Sequence, residues 1–390
     1  MIEKWRLSLD KGDQAGGVLT DLSKAFDCID HELLIAKLVA YGFSRNSIHF
    51  MYSYLDRRCQ RAKINSSFST WEEIHFGVPQ GSILGPLLFN IFICDLFHEV
   101  KDIDINNYAD DNTPYACASD ISIIVSKLES GTNTLCKWFK ENHLKFNADK
   151  CHLVTSSNEP VSVTISGLPV VNEKRVKLLG INIEGRLGFD FHVNKLCNKA
   201  SKKLNALARI CNYMNIDQKR KIMKAFITSQ FSFCPLVWMF HSRNINNRIN
   251  KIHHRALKLV YNNELNSSFE NLLEKDASVS IHQKNLQYLA IEIFKAKNDI
   301  SSSLMKEMFI FVNKPYDLRN NTVLSRRKIK TEFYGTETIS NLAPKIWDLV
   351  PSSLKEAKSL DIFEREIKKY KFDKCPCKLC KTYISNLGYI

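Results

Sequence analysis

Three aspartates lie in settings where carboxylates can hold metal ions. The run Gly17-Val18-Leu19-Thr20 predicts a short buried strand that ends on Asp21, while Asp110 and Asp111 are adjacent at a predicted tight turn between β-like runs. Adjacent aspartates are common turn formers. A pair of Mg²⁺ ions about 4 Å apart would instead draw such side chains together and support phosphoryl transfer. The spacing alone leaves both interpretations open.

The elements around these aspartates follow from hydrophobic spacing. Helical spacing predicts a helix over His31 to Tyr41, with Gly42 as its C-cap, and a second helix after Ser82. Alternation from Arg61 to Ile74 is typical of a hairpin. A longer helix with apolar residues at helical spacing follows the Asp110–Asp111 turn. Short strands and helices therefore alternate around the acidic residues.

The aspartates belong to short motifs that follow one another along residues 17–183. The first three are Asp21-Leu22-Ser23-Lys24-Ala25-Phe26-Asp27, then Gly77-Val78-Pro79-Gln80-Gly81-Ser82 (extended by Gly85-Pro86-Leu87-Leu88-Phe89-Asn90), then Tyr108-Ala109-Asp110-Asp111. His143-Leu144 to Asn147 with Lys150, and finally Leu178-Leu179-Gly180, come after them. In this order they resemble motifs A to E of reverse transcriptases of non-LTR (LINE-type) retrotransposons, motif E being the primer grip.

The resemblance assigns a metal-binding role to the acidic residues. It implies that Asp21 and Asp110 are the principal ligands of two Mg²⁺ ions, which Mn²⁺ could replace, and that Leu22 contributes its backbone carbonyl. Asp111 would complete the acidic cluster and bind metal only transiently. Such ions would activate a primer 3′-hydroxyl and neutralise the leaving pyrophosphate.

Other polar residues near these motifs are candidates either for a catalytic role or for a structural role. Lys150 would donate a proton to the departing pyrophosphate or stabilise its charge, and Lys145 competes for that role. A solvated charge is the alternative for Lys150. Asp27 and Asp30 are expected to be structural, as cap or surface acids before the helix at His31.

Besides Leu22, three residues are predicted to line the nucleotide pocket. Phe26 occupies the position where the family has its steric gate, a ring that would clash with a ribose 2′-hydroxyl and favour dNTPs. Gln80 and Gly81 would line the nucleotide and template side, since a glycine lets the backbone approach closely. The alternative for Phe26 is a plain core residue.

The motif order predicts an α+β fold, the right-hand polymerase palm, with a small antiparallel sheet packed on helices. Residues 1–186 would form the palm with motifs A to E, residues 187–265 an α-helical thumb, and residues 266–390 a C-terminal region with a Cys-rich tail. Only 20 residues precede Asp21, so the fingers are expected to be largely missing. We therefore expect weak or no polymerase activity from this chain alone.

The charge balance points to a polyanionic partner. The chain has 55 Lys and Arg against 41 Asp and Glu, a net charge of +14. A basic helical stretch would suit phosphate contacts with the template–primer duplex, unless it is simply a solvated face; its candidates are Lys195, Lys199, Lys202, Lys203 and Arg209. The expected partners are an RNA template, a DNA primer and dNTPs. We predict no membrane association and infer no obligate protein partner.

The 12 cysteines predict a reducing, intracellular location, without distinguishing nucleus from cytoplasm. Most are scattered singly, which is typical of small buried hydrophobes rather than of a disulfide framework. Cys375, Cys377 and Cys380 crowd together at a spacing that zinc can use, but a closed site needs a fourth ligand. Because the nearest earlier histidine is the distant His282, a reduced Cys-rich tail is the favoured interpretation and zinc the lesser one.

The leading interpretation is an RNA-directed DNA polymerase that adds dNTPs to a primer 3′-hydroxyl. The main alternative is a catalytically inactive retroelement remnant that binds RNA or duplex through its basic thumb. A two-metal nuclease is less favoured, because Phe26, Gln80 and Gly81 would then have no task.

Overall fold

The computed structural model describes residues 1–262, 267–313, 322–375, 377 and 379. It divides into two compact units. The first comprises residues 12–178 and 184–186 with Met1, and the second comprises residues 2–11, 179–183 and 187–390. The first helix, α1 (Ile2–Lys11), therefore belongs to the second unit.

The first unit mixes strands and helices. Its strands are β1 (Gln14–Leu19), β2 (Cys59–Gln60), β3 (Lys63–Ile64), β4 (Ser67–Phe68), β5 (Glu72–Glu73), β6 (Asp104–Tyr108), β7 (Asp111–Ala118), β8 (His152–Thr155), β9 (Ser162–Ile165), β10 (Leu168–Val171) and β11 (Arg175–Leu178). Its helices are α2 (His31–Ala40), α3 (Arg45–Leu55), α4 (Leu84–Phe92), α5 (Leu96–Glu99) and α6 (Ile121–Glu141).

A four-stranded antiparallel sheet forms the centre of this unit, in the order β6-β7-β1-β8. The inner strand β1 is buried along most of its length. It pairs with β7 from Gln14↔Ala118 to Gly17↔Tyr115 and with β8 on its other edge. The predicted small antiparallel sheet within an α+β fold is thus confirmed.

Helix α6 packs on this sheet through the apolar stripe that helical spacing predicted. Its buried side chains include Ile124, Leu128, Leu135 and Phe139, all in the core of the unit. A Cβ atom at Gly16 of β1 would stand only 3.0 Å from Ile124, so glycine allows the close approach of helix and strand. This packing holds β1 in place behind the acidic residues.

The second unit is mainly helical. Besides α1 its helices are α7 (Asp190–Ile210), α8 (Ile216–Ile222), α9 (Pro235–Trp238), α10 (Arg243–Val260), α11 (Phe269–Lys275), α12 (Ile281–Lys297), α13 (Ser303–Lys306), α14 (Glu332–Thr336), α15 (Ile339–Leu349), α16 (Ser352–Lys355) and α17 (Leu360–Ile367). Its strands are β12 (Ile181–Glu184, of which Glu184 falls in the first unit), β13 (Phe311–Asn313) and β14 (Thr322–Leu324).

A single core cluster holds much of the C-terminal part of this unit together. It is built from α12, α15 and α17, with Phe294 and Phe363 stacked at 4.2 Å between ring centroids. Phe372 and Cys375, which follow α17, are buried in the same cluster. The chain beyond the last helix is therefore part of the folded core as far as Cys375.

The position of α1 differs from the predicted palm boundary, which grouped residues 1–186. Glu3 accepts hydrogen bonds from the backbone amides of Ile339 and Ser340, at the start of α15. Asp10 accepts hydrogen bonds from the backbone amide and the hydroxyl of Thr331. These carboxylates tie α1 to the C-terminal region, because they satisfy amides at the beginning of helices there.

No helix in the described ranges combines the length and the apolar character that crossing a membrane requires.

Candidate active site

Strand pairing places the two acidic motifs side by side. The register of β1 with β7 continues past the strand end, since Thr20 pairs with Asn112, donating its amide to the Asn112 carbonyl at 3.0 Å. The next opposite positions in this register are Asp21 and Asp111. Side chains of directly opposed residues in an antiparallel pair lie close together. The sheet therefore brings together residues that are 90 positions apart in the sequence.

The hairpin between β6 and β7 presents Asp110 at its tip. Tyr108 pairs with Asp111, so only Ala109 and Asp110 form the loop, and Ala109 has a φ of 54°. The side chain of Asn112 donates to the Asp110 carbonyl at 3.1 Å, and Asn107 donates to the Ala109 carbonyl at 2.8 Å. These bonds stabilise a loop conformation that is costly for a non-glycine residue.

The site concentrates negative charge. Partial burial, and then the neighbouring carboxylates of Asp110 and Asp21, raise the pKa of Asp111 above its usual value. A like-charge neighbour disfavours the ionised form, so Asp111 interacts electrostatically with both Asp110 and Asp21. A bound cation would relieve this repulsion.

A lysine from a separate segment reaches the same site. The chain around Phe146 runs antiparallel to Leu22, with Ser23 donating its amide to Lys145 O and Asn147 donating to Asp21 O. This pairing leads into a 3₁₀ turn, Ala148–Lys150, which carries the Lys150 ammonium to 3.1 Å from Asp21 Oδ2. Of the two lysines considered from the sequence, Lys150 is the one that pairs with an acidic motif residue.

The glycine-rich motif packs against the turn that follows Asp21. Val78 donates its amide to Phe26 O, and the Gln80 side chain donates to Asp27 Oδ1 at 2.9 Å. Gly77 has a φ of +87°, and a Cβ there would lie 2.8 Å from the Asp27 backbone, so only glycine fits. The two motifs thus form one continuous wall.

Gln80 and Gly81 are both exposed on this wall. A Cβ at Gly81 would have no atom within 4 Å, which means open space lies above this residue. Phe26 is half-buried, and its ring stacks on Phe89 of α4 with centroids 4.4 Å apart. The structure therefore agrees in part with both interpretations of Phe26, as a steric gate and as a core residue. One face of the ring packs inward, while part of the ring remains accessible.

Asp27 and the supporting asparagines were not identified from the sequence as parts of the site. Asp27 orients Gln80 through its carboxylate, whereas Asp30 caps α2 by accepting from the Leu33 amide at 3.1 Å, as expected of a structural acid. Asn107 and Asn112 flank the acidic doublet, and asparagines on both sides of a two-residue loop are a signal of turn support.

The remaining predicted residues belong to the motif Leu178-Leu179-Gly180 and to α7. Leu178 ends β11 and is buried, and Leu179 and Gly180 both have positive φ angles, 46° and 86°. On α7 the buried side chains form one stripe, and most of the basic residues point to solvent. These exposed residues are Lys195, Lys199, Lys202 and Arg209, while Lys203 is half-buried with its ammonium 5.6 Å from the Phe226 ring centroid.

The Cys-rich tail has a neighbour that is distant in the sequence. Possible ligand atoms of His282, Cys375 and Cys377 all lie within 4.8 Å of one another. Cys380 is outside the described residues. A histidine able to join the tail cysteines is therefore present, which the sequence could name only as a distant candidate.

The matches to known proteins agree with this geometry. Residues 6–183 match the family "Reverse transcriptase (RNA-dependent DNA polymerase)". The chain is 26% identical over 268 residues to "Probable RNA-directed DNA polymerase from transposon BS" of Drosophila melanogaster, covering 65% of this chain and 30% of that protein. It is 24% identical over 314 residues to "RNA-directed DNA polymerase from mobile element jockey" of Drosophila melanogaster, covering 77% and 34%.

The chain spans about a third of the length of these relatives. A solved structure of apo telomerase from Candida Tropicalis aligns over 70% of this chain and 46% of its own, at 11% identity and a TM-score of 0.41. The family match, together with the antiparallel sheet and its acidic motifs, defines residues 6–183 as a reverse transcriptase domain. The relatives from transposon BS and mobile element jockey agree with the retrotransposon type that the motif order predicted.

Proposed function

We propose that this chain carries the polymerase site of an RNA-directed DNA polymerase, which adds dNTPs to a primer 3′-hydroxyl on an RNA template. The observation that supports this most directly is the pairing of β1 with β7, which sets Asp21 opposite Asp111 beside the loop residue Asp110. Asp111 interacts electrostatically with both Asp110 and Asp21, and three carboxylates offer an all-oxygen donor set, which suits the hard cation Mg²⁺.

The carboxylates of Asp21, Asp110 and Asp111, with the Leu22 carbonyl, would hold the metal. Two bound Mg²⁺ ions would activate the primer hydroxyl and neutralise the pyrophosphate. The chain itself positions these donors through the sheet register and through the asparagine-supported hairpin. Lys150, which pairs with Asp21 at 3.1 Å, would supply a proton or positive charge to the leaving group.

The surrounding residues would select and orient the nucleotide. Phe26, held by its stacking on Phe89, would lie beneath the sugar, and Gln80, held by Asp27, would line the base and template side. The open space above Gly81 would let a substrate approach the backbone. The motif Leu178-Leu179-Gly180 would hold the primer end, as the family resemblance implies.

The exposed basic residues of α7 would contact nucleic-acid phosphates. Lys195, Lys199 and Lys202 are exposed along one helix, so their charge is directed to solvent. Phosphate contacts of this kind are independent of sequence and weaken steeply with added salt.

Primer extension tests the proposal. The chain is incubated with an RNA template, a DNA primer, dNTPs and Mg²⁺, and its elongation products are compared with those of an Asp110→Ala, Asp111→Ala double variant. We expect Mg²⁺-dependent extension that is weak in this chain alone and that the double variant lacks. Salt-sensitive duplex binding by both proteins with no extension by either would instead support the binding-only alternative.

Lys150→Gln should slow nucleotide incorporation by about 10²-fold, because general acid catalysis typically contributes at least that much. Lys145→Gln is the matched control, since it removes the same charge from an exposed lysine of the same segment. Single-turnover incorporation rates measured across a pH series separate the two. Equal losses in both variants would mean that overall charge, rather than proton donation by Lys150, controls the rate.

A further inference from the structure

A buried group of sulfur and nitrogen ligands lies within the second unit, which does not contain the acidic motifs. His282 is in the first turn of α12 and is only 6% exposed, and Cys375 is 2% exposed. His282 Nε2 lies 3.2 Å from Cys377 Sγ, and ligand atoms from the three residues are all within 4.8 Å of one another. In the part of the chain that the structure describes, no other group of three His, Cys, Asp or Glu side chains meets this distance.

The tail that carries the cysteines is fixed in place along α12. The Gln287 side chain donates to Lys368 O and Tyr370 O, and Gln283 exchanges two hydrogen bonds with the backbone of Phe372. The tail thus follows α12 towards its N-terminus and reaches His282 with Cys375 and Cys377. This docking prepares the ligand positions before any ion binds, which lowers the entropic cost of binding.

The chemistry of these ligands selects the ion. Thiolate sulfur and imidazole nitrogen are the ligands that zinc prefers in structural sites, whereas Mg²⁺ and Ca²⁺ prefer oxygen. Tetrahedral zinc with Zn–S bonds of about 2.3 Å separates its sulfur ligands by about 3.8 Å. Because the ligand atoms of the three residues already lie within 4.8 Å of one another, at most a small closure of the side chains around an ion is needed.

We propose that His282, Cys375 and Cys377 are three ligands of a structural zinc site that joins the C-terminal tail to α12. A tetrahedral ion held by these three residues has one further coordination position. Binding displaces the thiol protons of the cysteines, so the affinity for zinc falls as the pH is lowered.

Metal analysis of the full chain tests this site. The protein is purified under reducing conditions without chelator, then incubated with ZnCl₂ and freed of excess ion. We expect about one zinc per chain by mass spectrometry of the metal. His282→Ala and Cys377→Ser should each reduce the zinc content several-fold, His282→Cys should restore it, and Cys211→Ser, a buried cysteine elsewhere in the unit, should leave it unchanged.

A second measurement uses the unmodified chain, so that a variant that fails to fold cannot decide the outcome. Replacement of zinc by Co²⁺ should give the absorption of thiolate-bound tetrahedral cobalt, and removal of zinc by a chelator should lower the melting temperature by about 5 °C or more. A folded, reduced chain that takes up no zinc would overturn the proposal. Zinc retained by both His282→Ala and Cys377→Ser, or a disulfide among the tail cysteines after reducing purification, would overturn it equally.

Discussion

Asp21→Asn and Asp110→Asn should each lower the rate of primer extension by at least roughly 10³-fold. Asparagine keeps the size of the side chain but removes the negative charge that a metal ligand contributes. The reason for the large effect is the site's geometry, in which the β1–β7 register and the two-residue loop bring the carboxylates together. Single-turnover incorporation of one dNTP measures the chemical step directly.

Asp102→Asn is the matched control, because Asp102 is an exposed aspartate just before β6 and outside the acidic motifs. It should extend primers at the wild-type rate. Titration with Mn²⁺ gives a readout that does not depend on nucleic acid: the variants of Asp21 and Asp110 should bind Mn²⁺ more weakly than the control. A rate for Asp110→Asn within tenfold of wild type would exclude this carboxylate as a principal ligand.

Asp111→Asn tests how the charge of this carboxylate affects the stability of the folded chain, separately from its effect on activity. Burial and the carboxylates of Asp110 and Asp21 raise the pKa of Asp111, so the folded chain binds this proton more tightly than the unfolded chain does. The free energy of unfolding therefore falls as the pH rises through that pKa. Removing the charge removes this penalty, and Asp111→Asn should melt at an equal or higher temperature than wild type at neutral pH without metal. A clearly lower melting temperature would contradict the assigned repulsion.

Local patterns predicted the elements that position the site. The stripe of Ile124, Leu128 and Leu135 predicted α6, and Gly42, which has a φ of +78°, follows the end of α2 as its sequence position indicated. Ser82 accepts a hydrogen bond from the Gly85 amide at the start of α4, as a helix-capping serine does. Each of these signals lies within a few residues of the structure it predicts.

Contacts between distant segments could not be derived in the same way. Lys150 and Asp21 are 129 positions apart, and their ion pair depends on the antiparallel pairing of the chain near Phe146 with Leu22, which no local pattern encodes. His282 and Cys377 are 95 positions apart and meet because two glutamines of α12 bind the tail backbone. Strand register and helix–tail docking are properties of the whole fold, so the sequence could name these residues without joining them.

Phe26 is the residue for which sequence and structure together predict the most specific effect. Its ring is held between the core and the accessible side of the site by stacking on Phe89, so its position is fixed and its volume is available to exclude a ribose 2′-hydroxyl. Phe26→Val should therefore shift the preference between dNTPs and rNTPs towards rNTPs by about 10- to 100-fold, as expected when one steric contact is removed.

The ratio of kcat/KM for incorporation of a single dCTP to that for a single CTP, measured on one template, gives this preference. Phe26→Tyr is the matched control, since it keeps the ring and its stacking and should keep discrimination against CTP. The predicted change is in the ratio and not in dCTP incorporation alone, because loss of the Phe26–Phe89 packing by itself would slow both nucleotides together. A Phe26→Val chain that loses activity with both nucleotides but keeps the wild-type ratio would assign Phe26 to the core, the alternative that its position in the sequence left open.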